Sequence, residues 1–404
     1  MNSAMRVQLK RVCVCCVVLG MTTCVSGAYT NGDSDGDGTP WYENIDVSFD
    51  LTLRQEVENR EYGVYDALGT RNSSQYEAHL NIHSQIADNV SANLQLATGY
   101  SNGSMMPLTS HYQRFEDKFS SKDVWFSQVY LNWQPSQVPG ADVFAGKIPN
   151  IFERVGGNQV IWDEDVNPEG VGVNFLRSLD DSTNFHANGG VFAVEEAWGP
   201  GPASPPAGDV TLFAGQLAVD RQFNETACGL AGVSYYSYSN IVNQGGFANG
   251  NSQATGLAND FDLLELFAEY GSEINGMPCM LFGTWINNLG ADTMGPGVGE
   301  NGDTAWSIGG RINKAEAPGS WEVGYDYRDI EADSIVGIFT DDAFGGTGMA
   351  AGGRGSSGHN FTGAYQYHRN IQVACRLLFG EVDDSSGGSH DFNLFRLDLR
   401  VKTP

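Results

Sequence analysis

Alternation with a period of two runs along nearly the whole chain, and it limits the fold more than any other feature. Ile45, Val47, Phe49, Leu51 and Leu53 alternate with Asp46, Ser48, Asp50, Thr52 and Arg54. Tyr76, Ala78, Leu80 and Ile82 alternate with Gln75, Glu77, His79, Asn81 and His83. Trp321 to Arg328 and Phe395 to Lys402 repeat the pattern. Successive side chains of a strand point to opposite faces, so each run has one apolar, aromatic face and one polar face. Sixteen such runs can be placed, to within a few residues, at 45–56, 74–86, 90–101, 123–133, 141–149, 169–177, 184–194, 209–219, 227–238, 260–270, 276–286, 304–313, 320–329, 360–368, 370–380 and 391–402. No helical periodicity of useful length lies between them. The fold class is all-β.

The connectors choose among all-β folds. After even-numbered runs they are short, as at Ala87-Asp88-Asn89 and Arg369. After odd-numbered runs they are mostly long: 57–73, 102–122, 150–168, 195–208, 239–259, 287–303 and 330–359, with 381–390 shorter. Long loops on one side and tight turns on the other describe a closed antiparallel transmembrane β-barrel of about 16 strands, an up-and-down meander. A soluble sandwich has no reason to sort its loops by parity. Sixteen strands leave an aqueous lumen, whereas eight are filled by side chains. Trp125, Trp133, Trp285, Trp306, Tyr100, Tyr270, Tyr325 and Tyr365 are candidates for interfacial girdles.

Composition removes other classes. With 49 acidic against 22 basic residues and a net charge of -27, the chain is a poor match for nucleic acid. At 41% hydrophobic it is too apolar for a disordered chain. Beyond the N-terminus no stretch reaches the about 18 unbroken apolar residues of a membrane helix.

Residues 1–28 follow the plan of a secretory signal peptide. Arg6, Lys10 and Arg11 precede the apolar Val12–Val25, and Ser26-Gly27-Ala28 offers small residues for cleavage. Cleavage there removes three positive charges and no acid, leaving a mature chain near -30 (19 against 49). Residues 29–44 read as an acidic Gly/Asp-rich spacer and 45–402 as the barrel. Cys228, Cys279 and Cys375 remain, too few and too widely spaced for a disulfide framework or a metal-binding CxxC.

Gly146-Lys147, Trp162-Asp163-Glu164-Asp165 and Pro168-Glu169-Gly170, with the closing strand Phe395–Lys402, resemble the bacterial outer-membrane "putative porin" family, and the likeness of pattern covers roughly 45–402. One departure is the ending Lys402-Thr403-Pro404, where such barrels usually finish on an aromatic residue. The resemblance implies a water-filled channel for passive diffusion of small hydrophilic solutes and ions, and no enzyme. Implied partners are outer-membrane lipid, lipopolysaccharide and the barrel-assembly machinery, with no nucleic acid. Subunit number, a homotrimer included, is not legible. The resemblance also implies that connector 150–168 folds inward and narrows the pore.

That connector carries Glu153, Asp163, Glu164 and Asp165, with Glu169 at the mouth of the next strand. Carboxylates in a narrow passage concentrate cations; on the rim they would merely be solvated. Polar strand faces carry Arg54, Lys147, Arg311, Arg328, Arg376, Arg396 and Arg400. These either form a basic wall opposite the acidic loop or pair with neighbouring strand carboxylates. Asp33, Asp35 and Asp37 open like a calcium loop, but the twelfth position is Asn44 rather than Glu, so calcium is at most a weak cofactor there. His79 and His83 share a strand face about 13 Å apart, too far for one metal ion. No GxSxG turn points to a barrel lipase. The competing account is a secreted or surface-attached β-protein that binds carbohydrate or calcium through its long loops.

Overall fold

Each alternating run forms an antiparallel strand hydrogen-bonded to the next. The computed structural model describes residues 41–60, 70–99, 109–196, 208–244, 247, 250–252, 256–291, 302–344, 355–383 and 389–403. The first strands are β1 (Ile45–Arg60), β2 (Arg71–Ala87), β3 (Val90–Thr98), β4 (Gln113–Arg114), β5 (Val124–Trp133) and β6 (Ala141–Lys147). Then come β7 (Glu169–Ser178), β8 (Thr183–Glu195), β9 (Val210–Gln222), β10 (Cys228–Ser239), β11 (Asp262–Ile274) and β12 (Met277–Asn288). The last are β13 (Thr304–Ile312), β14 (Trp321–Ile330), β15 (Ser356–His368), β16 (Ile371–Asp383) and β17 (Ser389–Lys402). β4 is a two-residue strand against Gln75 and Tyr76 of β2. The other sixteen are the staves of an up-and-down meander, and β1 pairs with both β2 and β17. The sheet has no free edge. Observed strand ends differ from the sequence reading by at most four residues, as at Arg60 of β1 and Ser356 of β15.

The two faces divide as the alternation requires. Val47, Phe49 and Leu53 are exposed on the outer face of β1, while Thr52, Arg54, Glu56 and Glu58 are buried inside. Leu281, Ile308 and Leu397 continue the outer apolar surface. One stave departs from strict alternation. Gln95 pairs with Gln128 but Leu96 pairs with Phe126, so Ser127 is a bulge. The bulge turns Trp125 inward, contrary to its expected place in a girdle, and its indole N–H donates to the Gly99 carbonyl at 3.3 Å. Tyr100 lies outside the described residues.

The interior is less polar than the alternation suggests. Phe192, Leu212, Tyr236, Tyr238, Leu263 and Ile286 point inward and pack with Phe152, Trp162, Leu257, Phe261 and Phe339 from the long connectors. At Leu212-Phe213 and Tyr235-Tyr236 both faces of a stave are apolar, one toward the surroundings and one toward folded-in loops.

The closing seam is held by cross-strand ion pairs. Arg54 and Asp398 are direct neighbours in register, as are Glu56 and Arg396. Arg54 grips Asp398 with two hydrogen bonds of 2.8 and 2.9 Å, and Arg396 Nε donates to Glu56 at 2.7 Å. These side chains are buried. Breaking such a pair costs more than replacing it, because one charge is left unmatched. Asp398→Ala should therefore lower unfolding stability by about 3 kcal/mol, and Arg54→Met with Asp398→Leu should recover most of that loss. Equilibrium denaturation of the refolded barrel checks both.

Candidate functional site

Among the described residues, segments of three connectors turn inward and build the site, and Phe247 and Leu257 of the 239–259 connector pack against them. Residues 148–168 form the first, whose neck is closed by the Ile148 N–H bonded to the Pro168 carbonyl at 2.8 Å. Ile148, Ile151, Phe152, Val160, Ile161 and Trp162 of this segment are buried. Trp162 stacks on Phe152 and meets Tyr236 and Phe339 at centroid distances of 5.7 Å each. At the tip, Gly156 has φ +59°, and a Cβ there would lie 2.4 Å from the Phe282 ring of β12. Its N–H donates to Glu269 of β11 at 2.7 Å, and its carbonyl accepts from Arg311 of β13. Glu153 is tied through its N–H to Gln216 of β9 at 2.7 Å, with its carboxylate 3.5 Å from His186. Burial pushes the Glu153 carboxyl above its ordinary pKa, against the opposing charge of His186.

The second inward segment, 331–344, is zipped to the first. Thr340 Oγ1 donates to the Val160 carbonyl at 2.7 Å, and the Asp163 N–H donates to the Phe339 carbonyl at 2.7 Å. Asp341 accepts from Arg328 at 2.7 Å and from Arg376. Burial opposes ionisation of Asp341, but Arg376 and Arg328 outweigh it and hold its carboxyl below the carboxylate range. Its neighbour behaves oppositely. Burial pushes Asp342 up to about 6, with Arg396 opposing and the charge of Asp341 adding. Asp163, whose Oδ2 accepts from the Asp342 N–H at 3.3 Å, is raised by burial and then by Asp165 and Asp342.

The third segment brings His111 and Tyr112 inward. The Arg54 guanidinium lies 3.6 Å from the centroid of the Tyr112 ring, and His111 Nδ1 is 3.0 Å from Asp165 Oδ1. Between the first and third segments and staves β1, β2, β3, β5 and β17 remains a cavity of about 310 Å³, lined by polar groups that include Thr52, Glu77, His79, Gln128, Glu164, Asp165 and Arg400, and it is larger than a neighbouring cavity lined by Asp163, Asp341 and Asp342.

The residues singled out in the sequence are distributed as follows. Glu153, Asp163, Glu164 and Asp165 all lie on the inward segment, but of these only Glu164 and Asp165 line the larger cavity. Glu169 is exposed at the start of β7, 2.8 Å from Lys147. Arg54, Arg328, Arg376 and Arg396 hold carboxylates, Arg311 lies 3.7 Å from Glu322, and Arg400 is 3.2 Å from Asp398. His83 bonds Asn93 at 2.7 Å. Asp33, Asp35 and Asp37 lie outside the described residues. Glu77 is legible in the sequence only as a polar-face residue of its strand, and of His111, Tyr112, Asp341 and Asp342, which no motif marks, only the adjacent acids at 341–342 offer a local signal.

A closed sixteen-stave barrel, apolar outside and largely polar within, defines the class of outer-membrane β-barrels. A family described as "Putative porin" matches residues 28–249 and 242–403, and the chain belongs to that family. No curated protein matches the chain in sequence. Among solved structures, the high-pH form of Pseudomonas putida OprB is similar at a TM-score of 0.54 with 13% identity, over 89% of this chain and 94% of that one. Its low-pH form gives 0.51 with 8% identity, over 89% and 93%. The outer membrane channel DcaP of Acinetobacter baumannii gives 0.49 with 12% identity, over 89% and 98%. At such identities the likeness is one of fold.

The raised carboxyl of Asp342 fixes the sign of a pH effect. Its contribution to stability is complete below about pH 4, the unfolded carboxyl's range, and is lost as pH rises through about 6. Asp342→Asn should therefore stabilise the barrel at pH 7.5 and make little difference at pH 4.5. Denaturant midpoints at the two pH values check this.

Proposed function

We propose that the chain, exported with removal of residues 1–28, acts as a passive diffusion channel for small hydrophilic solutes and ions. Segment 150–168 narrows the passage, and cations are favoured. The observation that carries this reading is the lining of the larger cavity. Glu77, Glu164 and Asp165 face it, while most inward arginines are already in contact with carboxylates of the wall or of segment 331–344. A contact pair has a short-range field, whereas carboxylates that no arginine contacts, two of them beside histidines here, raise the local cation concentration at a confined opening. The tip contacts of Gly156 with Glu269 and Arg311 support the narrowing, since they tether the segment across the lumen.

Planar-bilayer recordings under a salt gradient test both parts. The reversal potential should report cation preference and move toward zero in Glu164→Gln. Asp163→Asn should leave it nearly unchanged, because burial already favours a neutral carboxyl there. Gly156→Val, whose side chain would strike Phe282, should displace the tip and raise single-channel conductance. Anion preference would sink the electrostatic reading; unaltered conductance in Gly156→Val would move the narrowing elsewhere.

A further inference from the structure

We propose that Glu77, His79 and His111 form a binding site for one divalent transition-metal ion of the zinc class on the wall of the larger lumenal cavity. His79 Nε2 and His111 Nδ1 are 3.2 Å apart. Glu77 Oε1 lies 3.6 Å from the first and 3.8 Å from the second. Tetrahedral zinc with bonds of about 2.0–2.1 Å separates its ligand atoms by about 3.3 Å, so the three atoms already stand at nearly the spacing the ion imposes. The rings are close to perpendicular, with an interplanar angle of 82° and centroids 5.2 Å apart.

Each imidazole is positioned from outside the cluster. His79 Nδ1 sits 2.8 Å from Asp50 Oδ1. A proton on Nδ1 held by that carboxylate leaves the Nε2 lone pair free for a metal, the arrangement in which a carboxylate orients a metal-binding histidine. His111 is held by its backbone, its N–H donating to Asp165 Oδ2 at 3.2 Å and its carbonyl accepting from Thr98 Oγ1 at 2.8 Å. Two imidazoles and one carboxylate are a donor set that zinc accepts with a fourth position left to an exchangeable ligand. All three residues line the cavity. Asp165 Oδ1, 3.0 Å from the same His111 nitrogen, adds negative charge beside the site. Magnesium and calcium prefer all-oxygen shells and do not suit two nitrogens.

The test needs no channel activity, so it stands or falls apart from the transport reading. Tag-free refolded protein is titrated with zinc chloride by calorimetry, and cobalt(II) is added separately to read its visible spectrum. One zinc per chain is expected, with cobalt showing tetrahedral bands and a large excess of magnesium failing to compete. His79→Gln and His111→Gln should each weaken zinc binding by about 100-fold or more, and Asp50→Asn, on a partly exposed side chain, by about 10-fold. Heat-modifiable gel mobility confirms that each variant is a closed barrel. Affinity unchanged in all three variants, equal competition by magnesium, or no stoichiometric zinc would show that the cluster is only a hydrogen-bonded network.

Discussion

A sheet that meets an apolar medium can leave no backbone donor or acceptor unpaired, and the β1–β17 ladder is where this chain meets that demand. Without it, fifteen other ladders would end in two open edges. The seam also determines which face is which. A slip of one residue would turn Phe395, Leu397 and Leu399 inward and Arg396, Asp398 and Arg400 outward. The Arg54–Asp398 and Glu56–Arg396 pairs oppose such a slip, since each arginine would lose its carboxylate and Arg396 would also face the surroundings.

What fills the barrel follows from its circumference. Sixteen staves enclose more volume than their own inward side chains can occupy. Part of the remainder is taken by connectors that carry their own apolar residues, and the inner wall is apolar where they land. Phe152, Trp162 and Phe339 pack against Tyr236 and Tyr238 as a small core inside the lumen. Each such apolar side chain contributes about 1.5–3 kcal/mol of burial toward holding the inward segments against the wall.

The staves were legible in the sequence because period two is a local property that survives any ignorance of neighbours. The inward course of 150–168 was legible only through family resemblance. Yet Ile151, Phe152, Val160, Ile161 and Trp162 were a physical signal, since a solvated rim loop has no use for them. The bulge at Ser127 was not readable, as Trp125 keeps the parity of an outward residue on an unbroken strand. Nor was the meeting of His79 with His111, or of Arg54 with Asp398 across 344 positions of sequence. Such pairs exist only once closure and loop path are known.

Charge inside the barrel is matched before it is presented. A basic wall facing acidic segment 150–168 would set a field across the passage, but Arg328 and Arg376 instead clamp Asp341 of the other inward segment. Three crowded carboxyls then divide their roles: Asp341 keeps its charge because two guanidinium groups hold it, while Asp163 and Asp342 are pushed toward the neutral acid by burial. A large acidic excess therefore does not translate into an equally large lumenal charge. Of the acidic excess among the described residues, only Glu77, Glu164 and Asp165 line the larger cavity, beside the half-exposed Arg400. Counting acidic residues overstates the electrostatics of such a channel, and register and loop path decide which of them a passing ion meets.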